Sequence, residues 1–488
     1  MTAALRLLPA LAALGLAACA TPPASEPPAA AAAPPAHWQA PLPHNGSLTD
    51  LAQWWREQGD VLLVQLIDAA QAASPTVSAA RSRIEQAQAA RSAAGAALGP
   101  SVDGTAAASR GLTQVGVPLA TVVQGGLQAQ WEIDLFGANR AARDAAQARL
   151  EGAEAGWHEA RVSVAAEVAA QYVGLRSCER LLAVARADAA SRKETARLTE
   201  LAARAGFQAP AAAALARASA AEAGARATQQ QAQCDLDVKA LVALTALPEP
   251  ALRSQLAAAA APAPLTPITI ASLPAQVLAQ RPDLFQAERE VAAASADLGS
   301  ARAQQYPRLA LSGSVGLARF WAGGVSDNLT TWSIGPLALS VPLFDGGRRA
   351  ANVSAARARY EEAAAAYRAR ARQAVREVEE ALVRLESAAL RNEDARVATA
   401  DYRAYFNATE ARYRNGMASL VELEDARRTA LAAEMALLGL QREREAAWIG
   451  LYRAAGGGFG PNVPARSGPA AISLGTADSA AGGPAVRP

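Results

Sequence analysis

The chain has little of what enzymes and nucleic-acid-binding proteins normally use. Its 488 residues include three histidines and three cysteines, and no two histidines have the spacing of a metal site. The sequence also lacks a phosphate-binding glycine loop, a nucleophile elbow and a Cys-x-x-Cys pair. Its 47 basic and 45 acidic residues leave a net charge of +2, too small a field to attract nucleic acid. These absences argue against an enzyme, a resident cofactor and a nucleic-acid partner.

Aromatic residues are scarce too, at 5% of the chain, and much of the 51% hydrophobic fraction is alanine. Such small side chains fill a thick globular core poorly, but they let helices approach one another closely. Between Gly346 and Gly416 the sequence reads as one helix, which would be about 100 Å long. Apolar residues from Val375 to Leu385 follow the spacing of a coiled-coil seam. The composition therefore favours long, closely packed helices.

The N-terminus carries a targeting signal. Arg6 and the apolar run after it predict a secretory signal peptide over residues 1–18, since a membrane span needs about 20 residues. The small residues before Cys19 resemble the lipobox of bacterial lipoproteins, which implies acylation of Cys19, including a palmitate; an ordinary signal peptide is the alternative. Ala20, where inner-membrane lipoproteins carry aspartate, favours the outer membrane by the same resemblance. The Ala- and Pro-rich residues 19–46 predict an extended tether.

The chain contains an internal repeat. The segment "DLFGANRAA" at 134–142 matches "PLFDGGRRA" at 342–350, and "RAGF" at 204–207 matches "RNGM" at 414–417. The offset between matching segments stays between 207 and 210 residues. A constant offset of this kind indicates a tandem duplication.

The duplication divides the chain into domains. The first repeat is predicted over residues 47–250 and the second over 275–456, with a linker at 251–274. Residues 457–488, rich in Gly, Pro, Ala and Ser, are predicted to be a disordered tail.

Each repeat contains candidate strands followed by a helical hairpin. Apolar and polar residues alternate over about 101–135 and about 308–344, and a period of two predicts strands. The helical hairpins are predicted over about 137–245 and about 346–455. Segments of about ten alternating residues suit a membrane β-barrel, with soluble β-hairpins as the alternative.

Two cysteines remain after Cys19, and they lie at equal distances from a predicted turn. Cys178 is 28 residues before Gly206 and Cys234 is 28 residues after it. An antiparallel hairpin that turns at Gly206 brings them to the same height, and the bacterial envelope is oxidising. The sequence therefore predicts a Cys178–Cys234 disulfide, with two unpaired buried thiols as the alternative.

Strand number constrains the assembly. Four strands cannot close a membrane barrel, and lipid does not tolerate the unpaired edges of an open sheet. Three chains would supply about twelve strands, enough to surround an open lumen, and a ring of long helices to continue it. The sequence thus predicts a homotrimer, with strands in outer-membrane lipid and helices in the periplasm.

The motif "PLFDGGRRA", the duplicated plan, the lipobox and the glycine turns resemble the TolC-like outer-membrane efflux proteins, especially their NodT-type lipoprotein branch. The resemblance covers about residues 47–456. It implies an α+β membrane protein of the tandem-repeat outer-membrane-factor type. In that fold, four β-strands per chain form a roughly 12-stranded trimeric β-barrel, which a long periplasmic α-helical coiled-coil barrel continues. It also implies a lipid-anchored protein in the outer membrane of a Gram-negative bacterium.

The same resemblance implies a function. The chain would be the exit duct of a tripartite efflux system, passively exporting small toxic compounds when coupled to a periplasmic adaptor and an inner-membrane RND-type pump. It implies no cofactor beyond the covalent lipid on Cys19. One alternative is the duct of a type I protein secretion system. Another is a periplasmic coiled-coil adaptor, although an adaptor has one helical hairpin and this sequence predicts two.

The resemblance also assigns roles to residues at the two hairpin turns. Residues predicted to dock the adaptor, with plain turns as the alternative, are Ala205, Gly206, Phe207, Asn415, Gly416 and Met417. Glu422 and Asp425, three residues apart on one helical face, would form a periplasmic gate with Tyr413. Three chains would place about six carboxylates around one axis, which would select cations. The alternative for both acids is an ordinary charged helix surface. The first turn lacks equivalent acids, and Ala418 replaces an arginine common in the family.

Overall fold

The computed structural model describes most of the chain, namely residues 35, 37–40, 53–112, 119–259, 265, 267–268 and 274–459. The predicted signal peptide over 1–18, the lipidation site Cys19 and residues 460–488 of the predicted tail lie outside the described residues.

The two repeats have the same order of elements. In the first, short helices lead to a strand pair and a helical hairpin: α1 (Trp54–Glu57), α2 (Val61–Ala73), α3 (Pro75–Ala96), β1 (Ser101–Gly111), β2 (Ala120–Ile133), α4 (Ala138–Arg204) and α5 (Pro210–Thr245). In the second, the elements are α6 (Glu249–Ala258), α7 (Pro274–Leu278), α8 (Pro282–Ala303), β3 (Arg308–Ala322), β4 (Val325–Ser340), α9 (Arg348–Arg414) and α10 (Leu420–Ala454).

An aspartate closes the turn from each strand pair into the long helix. Asp134 accepts two backbone N–H groups from the first turn of α4, at 3.2 and 2.8 Å. Asp345 likewise accepts two at the start of α9, at 3.0 and 3.1 Å. The N-cap residues Gly137 and Gly347 have φ values of +80° and +88°, which favour glycine. Both copies of the motif thus start a helix with a carboxylate that accepts N–H groups without a partner in the helix, although the aspartate is at the first position of one copy and the fourth of the other.

The four strands form one antiparallel sheet in the order β1-β2-β3-β4. The β2–β3 pair joins the first repeat to the second, and β1 and β4 form the edges. At the β2–β3 junction the two backbones approach closely, since a Cβ added at Gly126 would lie 2.6 Å from the Val315 carbonyl oxygen. Only glycine is compatible with this junction unless the strands move apart.

The first helical hairpin pairs α4 with α5. At 67 residues α4 is about 100 Å long, and much of its buried face is alanine, which allows α5 to pack closely against it. Cys178 and Cys234 face each other across the pair in a disulfide, with their Cα atoms 5.6 Å apart. In the described part of the chain, neither these helices nor any other has an apolar stretch long enough to cross a bilayer.

The main apolar core lies where the two repeats pack together, partway along the long helices. Trp54 is fully buried and stacks on Tyr452, with ring centroids 5.3 Å apart. Leu382 of α9 belongs to the same core. The Tyr172 hydroxyl donates to Asp60 at 2.8 Å, and burial raises the pKa of Tyr172 to about 12. The repeats are therefore held to each other by large side chains in a molecule otherwise rich in alanine.

The end of the predicted tether is packed onto this core. Trp38 is buried, and the backbone N–H groups of Gln39 and Ala40 donate to the carboxylate of Glu379, at 2.6 and 2.8 Å. The Ala and Pro content of residues 19–46 predicts an extended tether and gives no sign of this contact. A large indole and a distant carboxylate, on a helix more than 300 residues away in sequence, supply partners here.

Two predicted boundaries are corrected by the structure. The first half of the predicted linker over 251–274 lies mostly in α6, because Leu252 and Leu256 are buried against the core. The predicted disordered tail over 457–488 begins too early, since Phe459 is buried and its ring centroid lies 5.7 Å from that of Phe285. In both places a few apolar side chains find a pocket that local composition does not reveal.

The disulfide leads to a first prediction. The mature protein, unfolded without reductant, should show no free thiol at Cys178 or Cys234. Replacing both by serine should lower the free energy of unfolding by about 4 kcal/mol, because the bond closes a long loop in the unfolded chain. Thiol titration and denaturant unfolding of both proteins measure these effects. Two titratable thiols in the unfolded parent would contradict the pairing.

Candidate functional site

Both helical hairpins reverse at a glycine in the left-handed region. Gly206 has a φ of +79° and Gly416 a φ of +72°. The N–H groups of the next residues, Phe207 and Met417, each donate at 2.8 Å to the carbonyl five residues earlier. This is the same C-terminal helix cap in both repeats, and a side chain at either glycine would be strained.

The residues around these glycines, which we call the tips (205–207 and 415–417), are all exposed. Phe207 is 84% exposed and Met417 is 63% exposed. Large apolar side chains that project from two tips at the same end of a long molecule suit contact with another protein. All six residues predicted to dock an adaptor therefore lie at accessible positions.

Glu422 has a local role that the sequence analysis did not assign. It is the third residue of α10, where Ser419 is the N-cap, and the two form a capping box. The Ser419 Oγ accepts the Glu422 N–H at 3.2 Å, and the Glu422 carboxylate accepts the Ser419 N–H at 2.6 Å. The backbone N–H of Ser419 lowers the pKa of Glu422. Glu422 therefore starts α10 and remains charged and exposed while doing so.

Asp425 is also exposed, one turn further along α10, and forms an ion pair with Arg428. Glu422 and Asp425 share an accessible stretch of the helix but have separate partners within the chain. No group of three acids, histidines or cysteines among the described residues is placed to hold a metal ion. Any ring of carboxylates would have to be built from several chains.

Tyr413 connects the second hairpin to the first. Its hydroxyl lies 3.1 Å from the Oγ1 of Thr199 on α4. Its ring packs against a small buried cluster that includes Leu420 and Leu423 of α10 and Ala216 of α5. The predicted gate tyrosine thus sits at the contact between hairpins, close to the tips.

A charged network that the sequence analysis missed lies beside Tyr413. Arg192 of α4 donates to Asp188 at 2.9 Å and to Ser219 of α5 at 2.6 Å, and it forms an ion pair with Glu424 of α10. Ser219 also donates to Glu424, at 2.7 Å. Arg427 of α10 donates to the second carboxylate oxygen of Glu424 at 2.6 Å. One carboxylate thus receives two arginines and a hydroxyl from three helices.

The network is removed from solvent. Arg192 is 7% exposed and Arg427 is 3% exposed. Arg427 also donates to Ser191 and Thr195 of α4, at 3.2 and 3.1 Å. Burial lowers the pKa of Arg427 despite the neighbouring carboxylate. Such buried charges are costly unless they remain paired, so the network defines how the two hairpins sit against each other near the tips.

Part of this network has a visible sequence signal. Asp188 and Arg192 are four residues apart and Glu424 and Arg427 are three apart, which are ordinary spacings for pairs on one helix. Their mutual contact depends on the rotation of α10 against α4, which no local pattern encodes. Since charged pairs on helices are usually solvated, the sequence analysis had no reason to single them out.

The opposite end of the molecule is the sheet, and its two faces differ in polarity. Directly opposed residues in an antiparallel pair lie on one face, and Leu127 is opposite Val315, which is opposite Trp332. The exposed apolar residues of this face include Val102, Leu127, Trp131, Val315, Leu317, Trp332, Ile334, Leu337 and Leu339. The other face, one residue out of step, carries Asp103, Thr105, Gln128, Gln130, Glu132, Ser312, Ser314 and Ser333.

A bulge keeps the apolar residues of β4 on one face. Leu311 of β3 is opposite Leu337 of β4. Gly313 lies two residues after Leu311 on β3, but its partner Ile334 lies three residues before Leu337 on β4. The extra residue falls beside Pro336, which follows a cis peptide bond and cannot donate to the ladder. Even-numbered apolar residues before the bulge and odd-numbered ones after it therefore point the same way. The predicted strand region over about 308–344 contains all of β4, but the alternation does not predict the bulge.

Known proteins resemble the chain over most of its length. The family described as "Outer membrane efflux protein" matches residues 66–247 and 273–457. The pyoverdine export outer membrane protein OpmQ of Pseudomonas putida is 30% identical over 466 residues, covering 93% of this chain and 97% of that protein. Nodulation protein T of Rhizobium leguminosarum bv. viciae is 26% identical over 412 residues, covering 84% and 85%. The solved structure of the outer-membrane channel OprN superposes with a TM-score of 0.79 at 28% identity, covering 87% of this chain and 97% of that chain.

The buried network leads to a second prediction. Glu424→Gln should weaken the contact between the hairpins by about 3 to 5 kcal/mol, because Arg192 and Arg427 stay buried without a full counter-charge. Hydrogen exchange of the tip segments of α4 and α10 should then accelerate strongly. The matched control is Glu443→Gln, which breaks an exposed pair with Arg391 on the second hairpin and should cost about 1 kcal/mol or less. If Glu424→Gln and Glu443→Gln accelerated hydrogen exchange equally, the larger stabilising effect assigned to the buried network would be wrong.

Proposed function

The chain belongs to the outer membrane efflux protein family, and from this premise we propose that it is the passive exit duct of a tripartite efflux system. Its relatives are outer-membrane components of efflux pumps, and the solved structures that resemble it are outer-membrane channels. The cargo of the duct would be small toxic compounds, selected by the pump that loads it.

One observation supports the duct more than any other: an amphipathic sheet with two unpaired edges. Its apolar face is exposed along the length of the strands, and among the described residues β1 and β4 each have one side without a partner strand. In lipid such edges must pair, and pairing β4 of one chain with β1 of the next closes a ring. Three chains would give a barrel of about twelve strands, with the polar face lining a water-filled lumen.

The helical hairpins would continue this lumen through the periplasm. Each long helix reaches about 100 Å, and three chains would bring six hairpins around one axis. Phe207 and Met417 would then lie at the far end, where an adaptor bound to an RND-type inner-membrane pump is placed to reach them. Exposed apolar tips on a water-facing structure favour such a partner over a free end.

At the same end, Glu422 and Asp425 would form the periplasmic gate. In a closed trimer their charged, exposed carboxylates would surround the axis and attract divalent cations. Tyr413 and the Arg192–Glu424–Arg427 network would hold the second hairpin against the first while the gate is closed. Lipidation of Cys19 would anchor the N-terminus to the outer membrane, and the docked segment at Trp38 would hold the tether to the middle of the duct.

Native mass gives the first test of the duct. Extracted in detergent from purified outer membranes, the protein should run as a particle of about three mature chains, because closing the barrel requires three copies. Mass photometry or native mass spectrometry measures this directly. A periplasmic particle of one chain would overturn the duct and favour a soluble coiled-coil protein.

The gate has its own test, designed around the capping box. In Glu422→Gln with Asp425→Asn, glutamine retains the cap of α10 while both charges are lost. In single-channel recordings, the divalent cation concentration that half-blocks conductance should rise by about tenfold or more. The control Glu393→Gln with Asp394→Asn removes the same charge from exposed positions on α9 and should leave block unchanged. Unchanged block in the Glu422 and Asp425 variant would remove these acids from the gate.

A further inference from the structure

The charges of the sheet are divided unequally between its faces. Of the six charged residues within the strands, four lie on the polar face, namely Asp103, Glu132, Arg308 and Asp327. The other two are Arg110 and Arg319, which are opposite Thr121 and Val123 on the apolar face. The apolar face thus carries positive charge only.

Both arginines lie at the end of the sheet far from the helices. Arg110 is one residue from the end of β1, and Arg319 is three residues from the end of β3. Both are exposed, and neither forms an ion pair with an acid in the described chain. Between these two arginines and the end of the sheet that adjoins the helices, the strands carry no charge on the apolar face. The positive charge is therefore confined to one rim of the apolar surface.

An aromatic ring accompanies this charge. Trp321 lies on the same face as Arg319, whose guanidinium sits 5.2 Å from the centroid of the tryptophan ring. Tryptophan and arginine at the edge of an apolar band are typical of the level at which lipid headgroups begin. At the helix end of the same face, Trp131 marks the other edge without a neighbouring cation on that face, its indole N–H donating to the Leu98 carbonyl at 3.0 Å.

We propose that Arg110 and Arg319 form a binding site for the phosphate groups of lipopolysaccharide in the outer leaflet. This inference rests on the proposed function, which places the sheet in the outer membrane with its helices in the periplasm. In that orientation the two arginines lie in the leaflet whose principal lipid is a phosphorylated glycolipid. A cationic rim on one side of the band matches a membrane whose two leaflets differ in this way.

The spacing fits one headgroup that carries two phosphates. Arg110 and Arg319 lie on the two strands that flank β2. Their partners on β2 are Thr121 and Val123, two residues apart, so the Cα atoms of the two arginines are about 12 Å apart. Guanidinium groups bind phosphate through two parallel hydrogen bonds, a geometry that lysine cannot supply. A headgroup with a phosphate at each end of a disaccharide can contact both side chains, and a trimer would offer three such sites.

The test measures lipid retained by the purified trimer. Arg110→Gln with Arg319→Gln should lose most of its co-purifying lipid A, by about tenfold per arginine, because each charge-assisted contact is removed. Mass spectrometry of lipid A per trimer, after washing in detergent, gives the value. The matched control is Arg308→Gln, an exposed arginine of β3 on the polar face, which should retain lipid A as the parent does.

A second measurement separates the possible ligands. Delipidated parent trimer is titrated with diphosphoryl lipid A, with lipid A stripped of both phosphates, and with inorganic phosphate, while its melting temperature is followed. Only diphosphoryl lipid A should raise the melting temperature of the parent, and no ligand should raise that of the double variant. An equal response to inorganic phosphate would overturn the lipid site in favour of a free-anion site, and an equal response to stripped lipid A would assign binding to the acyl chains.

Native mass, recorded on the same samples, distinguishes failure of the lipid site from failure of the proposed duct. A trimer whose double variant retains lipid A as well as the parent overturns this inference and leaves the duct standing. A particle of one chain overturns the duct and this inference together.

Discussion

The unpaired edges of the sheet are the constraint on which the rest of the structure depends. Within the described part of the chain, nothing covers the apolar face of the four-stranded sheet, and β1 and β4 have no further strand to pair with. In the proposed duct, lipid would cover the apolar face and neighbouring copies would pair the edges, which satisfies both needs together. The bulge at Pro336 serves the same end, because it keeps the apolar residues of β4 on the face they share with β3.

The helical end solves a different problem, which is how to keep very long helices in register with few large side chains. Alanine lets α4 and α5 approach closely, and the Cys178–Cys234 bond links them at one height. The large aromatic residues are concentrated where the repeats meet, and Trp38 and Glu379 tie the N-terminal segment to that place. Beyond this core, towards the tips, the buried apolar cluster around Leu420 and Leu423 is small. Polar contacts such as the Glu424 network join the hairpins there.

Residues near the tips have contacts within the chain that the sequence did not reveal. Glu422 was singled out for its spacing from Asp425, yet within the chain its carboxylate caps α10. A substitution that removes only the charge of Glu422 therefore tests the gate without also removing the helix cap, which truncation of the side chain would do. Arg427 and Glu424 sit in the same turns and were overlooked, because a helix rich in both charges normally carries them on a solvated surface. Their burial becomes apparent only when α4 and α10 are placed side by side.

By itself the sequence determined the strand regions, the two long helical hairpins and their order. Period-two alternation located β1, β2, β3 and the end of β4, glycine located both turns, and the distances of Cys178 and Cys234 from Gly206 predicted their pairing. These signals are local, or depend only on counting along one hairpin. Tertiary structure alone decided the contacts between the hairpins, the docking of Trp38, the burial of Phe459 and the alignment of Arg110 with Arg319 on either side of β2. Each of these depends on rotation and register between segments distant in the chain, and neighbouring residues carry no record of such relations.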